Sequence, residues 1–187
     1  MQKLILASGS PRRRELLSLL VKDFMVVQSG ADETIKEPLP PAEYVCALAQ
    51  RKAQEVAQRY PDAVVIGSDT VVFCDGEILG KPRDAAQAAE MLRRLSGRTH
   101  TVATAVAVCG SWGVRVFSSE TLVEFAAISA AEIDWYISTG EPMDKAGAYG
   151  IQGLASRFIK GIQGDYYTVM GLPVQKLYQV LLELGVL

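Results

Sequence analysis

The residues best suited to chemistry begin with three consecutive arginines, Arg12, Arg13 and Arg14, which follow Ser-Gly-Ser-Pro at residues 8–11. A proline at the first helical position and Ser10 as N-cap predict that a helix begins here. Cationic side chains are unfavourable at a helix N-terminus, which already carries partial positive charge. A bound anion would reverse that effect, because free N–H groups and guanidinium groups would converge on it. The pattern therefore favours a phosphate site, although three solvated arginines would also produce it.

Two further charged residues interrupt apolar patterns. Lys52 falls on the apolar stripe of a helix predicted over residues 42–59, where it either extends to water or projects into a site and pairs with an anion. Asp69 falls within a strand predicted over residues 63–73, which is otherwise mostly apolar. A carboxylate buried there needs cations, hydrogen-bond donors or a metal. Asp69 is therefore a candidate catalytic or metal-binding residue, with a structural carboxylate that holds a turn as the alternative.

A fourth candidate is Lys81, in the sequence GEILGKP at residues 76–82. This sequence fails as a P-loop, because the spacing between its glycines is one residue short and a proline replaces the Ser or Thr that would hold magnesium. Lys81 is either a phosphate ligand presented by a tight turn or a solvated lysine. His100 is the only histidine, which argues against a histidine-cluster metal site.

Composition limits the possible functions. The chain has 187 residues, 49% of them hydrophobic and 21% charged, which fits one globular domain with a substantial core. The net charge of -2 provides no overall positive field for nucleic acid or an anionic membrane. No apolar run approaches the roughly 20 residues that span a bilayer, and no signal peptide is evident. We therefore expect a cytoplasmic protein with neither a membrane nor a nucleic-acid partner. Three widely spaced cysteines exclude a complete disulfide framework and a CxxC zinc site.

The elements that position these residues alternate between helix and strand. Strands are predicted over residues 3–7, 24–27, 63–73 (interrupted at 67–70), 99–109, 114–125 and 158–162. Helices are predicted over residues 11–20, 42–59, 84–95, 129–140 and 173–184. A hairpin turn is predicted at residues 74–77 and a glycine-rich loop at 144–153. One clear antiparallel strand pair breaks the alternation, so the prediction is an α/β fold with a mixed sheet flanked by helices.

Together these segments resemble the Maf family of nucleotide pyrophosphatases, also called septum formation inhibitor proteins. The resemblance covers essentially the whole chain. It depends on six motifs in order, which are LASGSPRR at residues 6–13, ADE at 31–33, RKA at 51–53, GSDTVV at 67–72, GKP at 80–82 and SGRTH at 96–100. The sequence GEPMDKAGAYGIQG at residues 140–153 looks like the branch that takes dTTP and UTP rather than the branch that takes 7-methyl-GTP.

The resemblance assigns the unusual residues to one site. Triphosphate binding is implied for Ser8, Ser10, Arg12, Arg13, Lys52 and Lys81. Asp69 is implied as the proton acceptor, and Glu33, with or without Asp69, as the ligand of a divalent metal, which we expect to be Mg²⁺ with Mn²⁺ as the alternative. Arg12, Thr70 and Gln152 are implied in the choice of base, and the Gln152 amide could match the edge of uracil or thymine because it both donates and accepts. The implied structure is one domain over residues 1–187, with two lobes and a central cleft as in the inosine triphosphatase type, and it commonly forms a homodimer.

The predicted reaction is hydrolysis of dTTP and UTP to the monophosphate and pyrophosphate, with modified pyrimidine nucleotides as further candidate substrates. Four cations and a metal would offset the charge on the leaving pyrophosphate. The same cations weaken Asp69 as a base, so we expect the metal to share in activating the water. The main alternative is a nucleotide-binding regulator of septum formation without turnover. Glu33 and Asp69 favour catalysis, because carboxylates weaken simple anion binding. A phosphatase that releases orthophosphate and a DNA-binding protein are further alternatives.

Overall fold

A computed structural model describes residues 3–35 and 39–187. These residues form seven strands: β1 (Lys3–Ala7), β2 (Met25–Val26), β3 (Ala63–Cys74), β4 (Glu77–Leu79), β5 (Thr99–Gly110), β6 (Gly113–Phe125) and β7 (Ile159–Gln163). They also form six α-helices: α1 (Pro11–Ser18), α2 (Pro41–Arg59), α3 (Ala85–Leu95), α4 (Ala130–Ser138), α5 (Tyr166–Met170) and α6 (Val174–Glu183). Three short 3₁₀ helices cover Glu141–Asp144, Ala146–Ala148 and Leu154–Phe158.

The strands form a mixed sheet with the order β2-β1-β3-β5-β6-β7, and β4 pairs with β3 off this path. Strand β1 pairs in parallel with β2 and β3, whereas β4 and β7 pair antiparallel with β3 and β6. The predicted mixed α/β sheet flanked by helices is therefore confirmed.

By its internal contacts the chain divides into two compact units. The first comprises the chain up to Asp69 together with Thr104–Ser119 and Gly171–Leu187, and the second comprises Thr70–Ala103 and Glu120–Met170. The single domain with two lobes and a central cleft remains a prediction from the family resemblance.

In the first unit, helix α2 lies close to strand β3. Buried apolar residues on α2 recur at helical spacing, as expected for a helix that covers a sheet. Gly67 permits the close approach, because a Cβ at this position would lie 2.6 Å from the Ala49 carbonyl oxygen and 2.7 Å from the Ala53 nitrogen. These contacts are with backbone atoms of α2, which cannot rotate aside. The glycine therefore sets the distance between α2 and β3.

Replacing Gly67 with Ala should destabilise the protein, because α2 or β3 must shift to admit the methyl group. We expect a loss of about 1–3 kcal/mol in the free energy of unfolding and a lower Tm. Gly161→Ala is the matched control, since a Cβ there meets nothing within 4 Å. Urea unfolding of both variants measures the difference, and equal stability of the two would contradict the assigned role of Gly67.

In the second unit, His100 lies in an aromatic cluster at the start of β5. Its ring packs edge to face against Phe125 and Tyr149, with centroids 5.0 and 5.4 Å away. His100 Nε2 is 2.7 Å from the Tyr149 hydroxyl, and Nδ1 is buried without a hydrogen-bond partner among the described residues. Burial lowers the pKa of His100 to about 4. His100 is therefore a packed, hydrogen-bonded residue at the start of a strand.

This buried histidine should make stability depend on pH. Because the folded pKa of about 4 lies below the ordinary 6.5, the unfolded chain binds more protons between these values. Stability should therefore fall as pH decreases from 6.5 to 4, with a His100 contribution of about 3 kcal/mol. Urea titrations of the wild type and His100→Gln across this range measure it. Gln retains a hydrogen-bonding group but does not titrate, so its loss should be smaller; equal losses would contradict the assignment.

Two predicted segments differ from the structure, and one helix was not predicted. Strand β3 runs without interruption through residues 67–70, because Gly67 pairs with Ala7 of β1 and the polar side chains that follow find partners. The predicted glycine-rich loop at 144–153 instead includes 3₁₀ turns, and helix α5 was not anticipated.

No helix among residues 3–35 and 39–187 is long and apolar enough to span a membrane.

Candidate active site

Three charged side chains of the first unit meet at the ammonium of Lys52. Lys52 Nζ lies 2.7 Å from Asp69 Oδ1 and 3.0 Å from Glu33 Oε1. The side chains of Lys52 and Asp69 are only 14% and 11% exposed, whereas that of Glu33 is 62% exposed. Of the two alternatives for Lys52, pairing with an anion is thus the one observed. Asp69 obtains the cation that its burial requires, and Glu33 presents the more accessible carboxylate.

Helix α2 also holds the loop that carries Glu33. Arg51 Nη1 donates to the carbonyl oxygens of Asp32 and Thr34, at 3.3 and 2.8 Å, so it fixes the backbone on both sides of Glu33. One turn further along, Glu55 accepts hydrogen bonds from the hydroxyl of Ser29 and the N–H of Gly30. Residues 51, 52 and 55 therefore explain why a loop without regular structure brings a carboxylate to the Lys52 ammonium.

The turn after β1 is organised by its two serines. Ser8 Oγ accepts the N–H of Ser10 at 3.2 Å and Arg13 Nη1 at 3.4 Å. Ser10 is the N-cap of α1, with its side chain accepting the N–H of Arg13 at 3.5 Å. The predicted N-cap is confirmed, and Pro11 occupies the start of the helix. Both hydroxyls therefore contribute to the loop that presents the arginines.

Arg13 is tied to backbone carbonyl groups. Its Nε donates to the carbonyl of Gly171 and its Nη1 to that of Ser68, both at 2.9 Å. Ser68 Oγ donates to the same Gly171 carbonyl at 3.0 Å. Burial lowers the pKa of Arg13 from its ordinary value, and the negative charge of Asp69 opposes that shift. Arg13 therefore fixes the backbone directly before Asp69, a role that the sequence alone did not indicate.

Tyr44 is a site residue that the motifs did not include. Burial raises the pKa of its hydroxyl, the negative charges of Asp69 and Glu33 raise it further, and Lys52 opposes them. Tyr44 precedes Lys52 by eight residues on α2, which is about two helical turns. That spacing was the one signal in the sequence that could have indicated its position.

The carboxylates of Glu33 and Asp69 are suitable ligands for a hard divalent cation. Both converge on one positive group, the Lys52 ammonium, so their geometry already accommodates a cation. Among the described residues, no group of three or more His, Cys, Asp or Glu side chains could hold a metal. Mg²⁺ usually takes one or two carboxylates and completes its shell with water and substrate phosphates. This pair fits that pattern.

The sequence-predicted site residues are divided between the two units. Those in the first unit are Ser8, Ser10, Arg12, Arg13, Glu33, Lys52 and Asp69. Direct contacts join Ser8, Ser10 and Arg13 in one group and Glu33, Lys52 and Asp69 in another. Arg13 contacts the carbonyl of Ser68, the residue before Asp69, and Arg12 lies beside Arg13 in the first turn of α1. Thr70, Lys81 and Gln152 belong to the second unit, where Lys81 and Gln152 are exposed and Thr70 is partly exposed.

Comparison with known proteins identifies relatives along almost the full chain. Residues 3–184 match the model of a family described as Maf-like protein. A dTTP/UTP pyrophosphatase of Symbiobacterium thermophilum is 53% identical over 185 residues, covering 99% of this chain and 95% of the relative. A dTTP/UTP pyrophosphatase of Bacillus cytotoxicus is 51% identical over 181 residues, covering 97% and 95%.

Solved structures with low sequence identity share the fold. The Ham1 protein of Staphylococcus aureus aligns with a TM-score of 0.56 and 15% identity, covering 97% of this chain and 98% of its own. A HAM1 protein of Coxiella burnetii aligns with a TM-score of 0.53 and 14% identity, covering 98% of this chain and all of its own. At this identity the similarity supports the architecture alone.

Proposed function

The chain belongs to the Maf-like protein family, and from this membership we propose that it hydrolyses dTTP and UTP to the monophosphate and pyrophosphate. It is a nucleoside triphosphate pyrophosphatase. The observation that carries the proposal is the buried pair of Asp69 and Lys52 with Glu33 beside it, found in a chain about half identical to proteins named for this activity.

Asp69 is the proton acceptor in this mechanism. A water oxygen attacks the α-phosphorus and forms a new P–O bond, while the bond from that phosphorus to the bridging oxygen of the β-phosphate breaks. The water proton passes to the Asp69 carboxylate, and pyrophosphate leaves with the electron pair of the broken bond. Lys52 Nζ, 2.7 Å from Asp69 Oδ1, pairs with this carboxylate and holds it in place for the proton transfer.

Cations offset the charge of the triphosphate. The proposed phosphate ligands are Ser8, Ser10, Arg12, Arg13, Lys52 and Lys81. Preorganised positive groups stabilise charge that develops on the leaving pyrophosphate, and they need little rearrangement during the reaction. Arg13 donates from Nε and Nη1 to backbone carbonyl groups. Its contribution to phosphate binding is therefore mainly its positive charge and the shape of the Ser8–Ser10 turn.

A divalent metal completes the proposed site. Glu33 and Asp69 would hold it, with Mg²⁺ expected and Mn²⁺ as the alternative. When bound, the metal supplies Lewis-acid polarisation and charge neutralisation at the phosphates. With a metal held by the two carboxylates, the Lys52 ammonium would be available to the phosphate oxygens.

Base selection is proposed for Arg12, Thr70 and Gln152. The Gln152 amide offers one acceptor and two donor hydrogens, which match the alternating donor and acceptor edge of uracil and thymine. Cytosine presents the reversed donor and acceptor pair at the same edge, so discrimination requires that the Gln152 amide is held in one orientation. We also propose a cytoplasmic homodimer that binds neither duplex DNA nor membranes.

The test is product analysis of purified protein incubated with Mg²⁺ and a panel of unmodified and modified nucleoside triphosphates, followed by anion-exchange separation. We expect monophosphate and pyrophosphate in equal amounts, with dTTP and UTP turned over fastest. Tight nucleotide binding without cleavage would instead indicate a regulator, and release of orthophosphate would indicate a phosphatase. Either of those results would overturn the proposal.

A further inference from the structure

The segment that carries Gln152 is held by hydrogen bonds on both sides of it. After Gln152, the N–H of Leu154 donates to both carboxylate oxygens of Glu141, at 3.1 and 3.0 Å, and the N–H of Ala155 donates at 3.4 Å. Before Gln152, the N–H of Gly150 donates to the hydroxyl of Tyr136 at 3.4 Å. All of these residues lie in the second unit.

The two sides are connected, because Tyr136 Oη donates to Glu141 Oε1 at 2.9 Å. Tyr136 is fully buried on α4, so its hydroxyl occupies a fixed position. Burial raises the pKa of Tyr136, and the hydrogen bond to Glu141 raises it further. The hydroxyl therefore remains protonated and can donate to Glu141 while it accepts from Gly150.

The backbone around Gln152 is adapted to this carboxylate. Gly153 has φ +120°, and a Cβ there would lie 3.0 Å from both Glu141 oxygens. Lys145 fixes the chain beside Glu141 by donating to the Glu141 carbonyl oxygen at 2.7 Å. Between the buried residues Tyr149 and Ala155, the loop thus obtains a defined conformation from one carboxylate and its neighbours.

We propose that Glu141, together with Tyr136, is a positioning residue that sets base discrimination by fixing the backbone on both sides of Gln152. This inference depends on the proposed function, in which Gln152 contacts the base. Glu141 contributes through the backbone, whereas Gln152 provides the contact. A Gln152 side chain on a loosened loop would lose its match to uracil and would distinguish UTP from CTP less well.

The test measures kcat/KM for UTP and CTP in wild type, Glu141→Ala, Tyr136→Phe and Gln152→Ala. We expect Glu141→Ala to lower the UTP:CTP ratio about tenfold, the scale of effect given by a small misplacement of a binding group. Tyr136→Phe should lower it less, since it removes only the bridging hydroxyl. Glu141→Gln keeps one carbonyl acceptor and should restore part of the ratio. Adding Glu141→Ala to Gln152→Ala should have little further effect, because both act on the same contact.

The matched control is Glu132→Ala. Glu132 completes the capping box of α4 with Ser129 but makes no hydrogen bond to residues 150–155, all of which the structure describes. Glu132→Ala should lower the Tm and leave the UTP:CTP ratio unchanged, which separates positioning from destabilisation.

The outcomes distinguish two failures. A Glu141→Ala variant that retains the wild-type ratio while Gln152→Ala loses it would overturn the role of Glu141 alone. A Gln152→Ala variant that retains the ratio would also overturn this inference, because the loop would then not set base choice. A wild-type protein that does not hydrolyse UTP would overturn both this inference and the proposed function.

Discussion

Asp69→Asn is expected to reduce hydrolysis of dTTP and UTP by about 100- to 10,000-fold, the contribution usual for a general base. Asn has nearly the same size as Asp but cannot take a proton from the attacking water. The Asn amide is also neutral, whereas the wild-type carboxylate is charged and its Oδ1 lies 2.7 Å from Lys52 Nζ. Glu33, whose side chain is 62% exposed, would remain as an ion-pair partner of Lys52. Steady-state kinetics with pyrophosphate detection measures the loss.

The control for this variant is Asp62→Asn, the same change at an exposed turn before β3. It should leave kcat and KM near their wild-type values. Circular dichroism and thermal unfolding should show that Asp69→Asn retains the fold. Residual activity above about a tenth of wild type in a folded Asp69→Asn protein would contradict the assignment of Asp69 as proton acceptor.

Lys52→Met should cause the second large effect, because it removes the cation between two carboxylates. Met has a similar length and suits the apolar stripe of α2, so packing is largely preserved. The buried Asp69 carboxylate would then lack the Lys52 ammonium and would lie near Glu33, a second negative charge. We expect a loss of about 1–3 kcal/mol in the free energy of unfolding at pH 7, the cost of leaving a buried polar group unpaired. Turnover should fall about 100-fold or more, as when a preorganised electrostatic contact is removed.

Two further variants support the interpretation of Lys52. Lys176→Met removes an exposed lysine of the same unit that donates to the Ser118 carbonyl, and it should leave turnover unchanged. Lys52→Arg keeps the charge but places a planar fork where a compact ammonium contacts both carboxylates, so it should restore stability better than activity. A Lys52→Met protein with wild-type kcat/KM would contradict the proposed role of Lys52.

The sequence was informative wherever one element determined its own structure. Apolar spacing along α2 and the N-cap Ser10 predicted helices that the structure contains, and the strands predicted over residues 99–109 and 114–125 match β5 and β6. Lys52 and Asp69 stood out because each placed a charge on an apolar face. The family resemblance then joined residues that no local pattern could bring together.

The sequence did not predict features that depend on contacts between residues far apart in the chain. The predicted break in β3 was wrong because Ser68 and Asp69 find their partners 103 and 17 residues away, at Gly171 and Lys52. A strand can include such residues once those partners are present. The anchoring role of Arg13 was not predicted for the same reason, since its backbone acceptors lie at residues 68 and 171.

The region from residue 141 to 158 shows a second limit. It has neither helical nor strand periodicity, and its 3₁₀ turns depend on side chains such as Glu141 and Lys145 that bind backbone groups. The glycines in this region predicted a loop over residues 144–153. Gly147, with φ +67°, instead lies where a Cβ would come within 2.8 Å of the Val72 side chain, so it is a packing requirement.

The central claim is that water attacks the α-phosphorus of UTP or dTTP, and hydrolysis in ¹⁸O-labelled water tests it most directly. Mass spectrometry of the separated products should find one ¹⁸O atom in each UMP or dTMP and none in pyrophosphate. Label in pyrophosphate would show attack at the β-phosphorus. Label in orthophosphate with a nucleoside diphosphate as the second product would show attack at the γ-phosphorus, and either result would contradict the account.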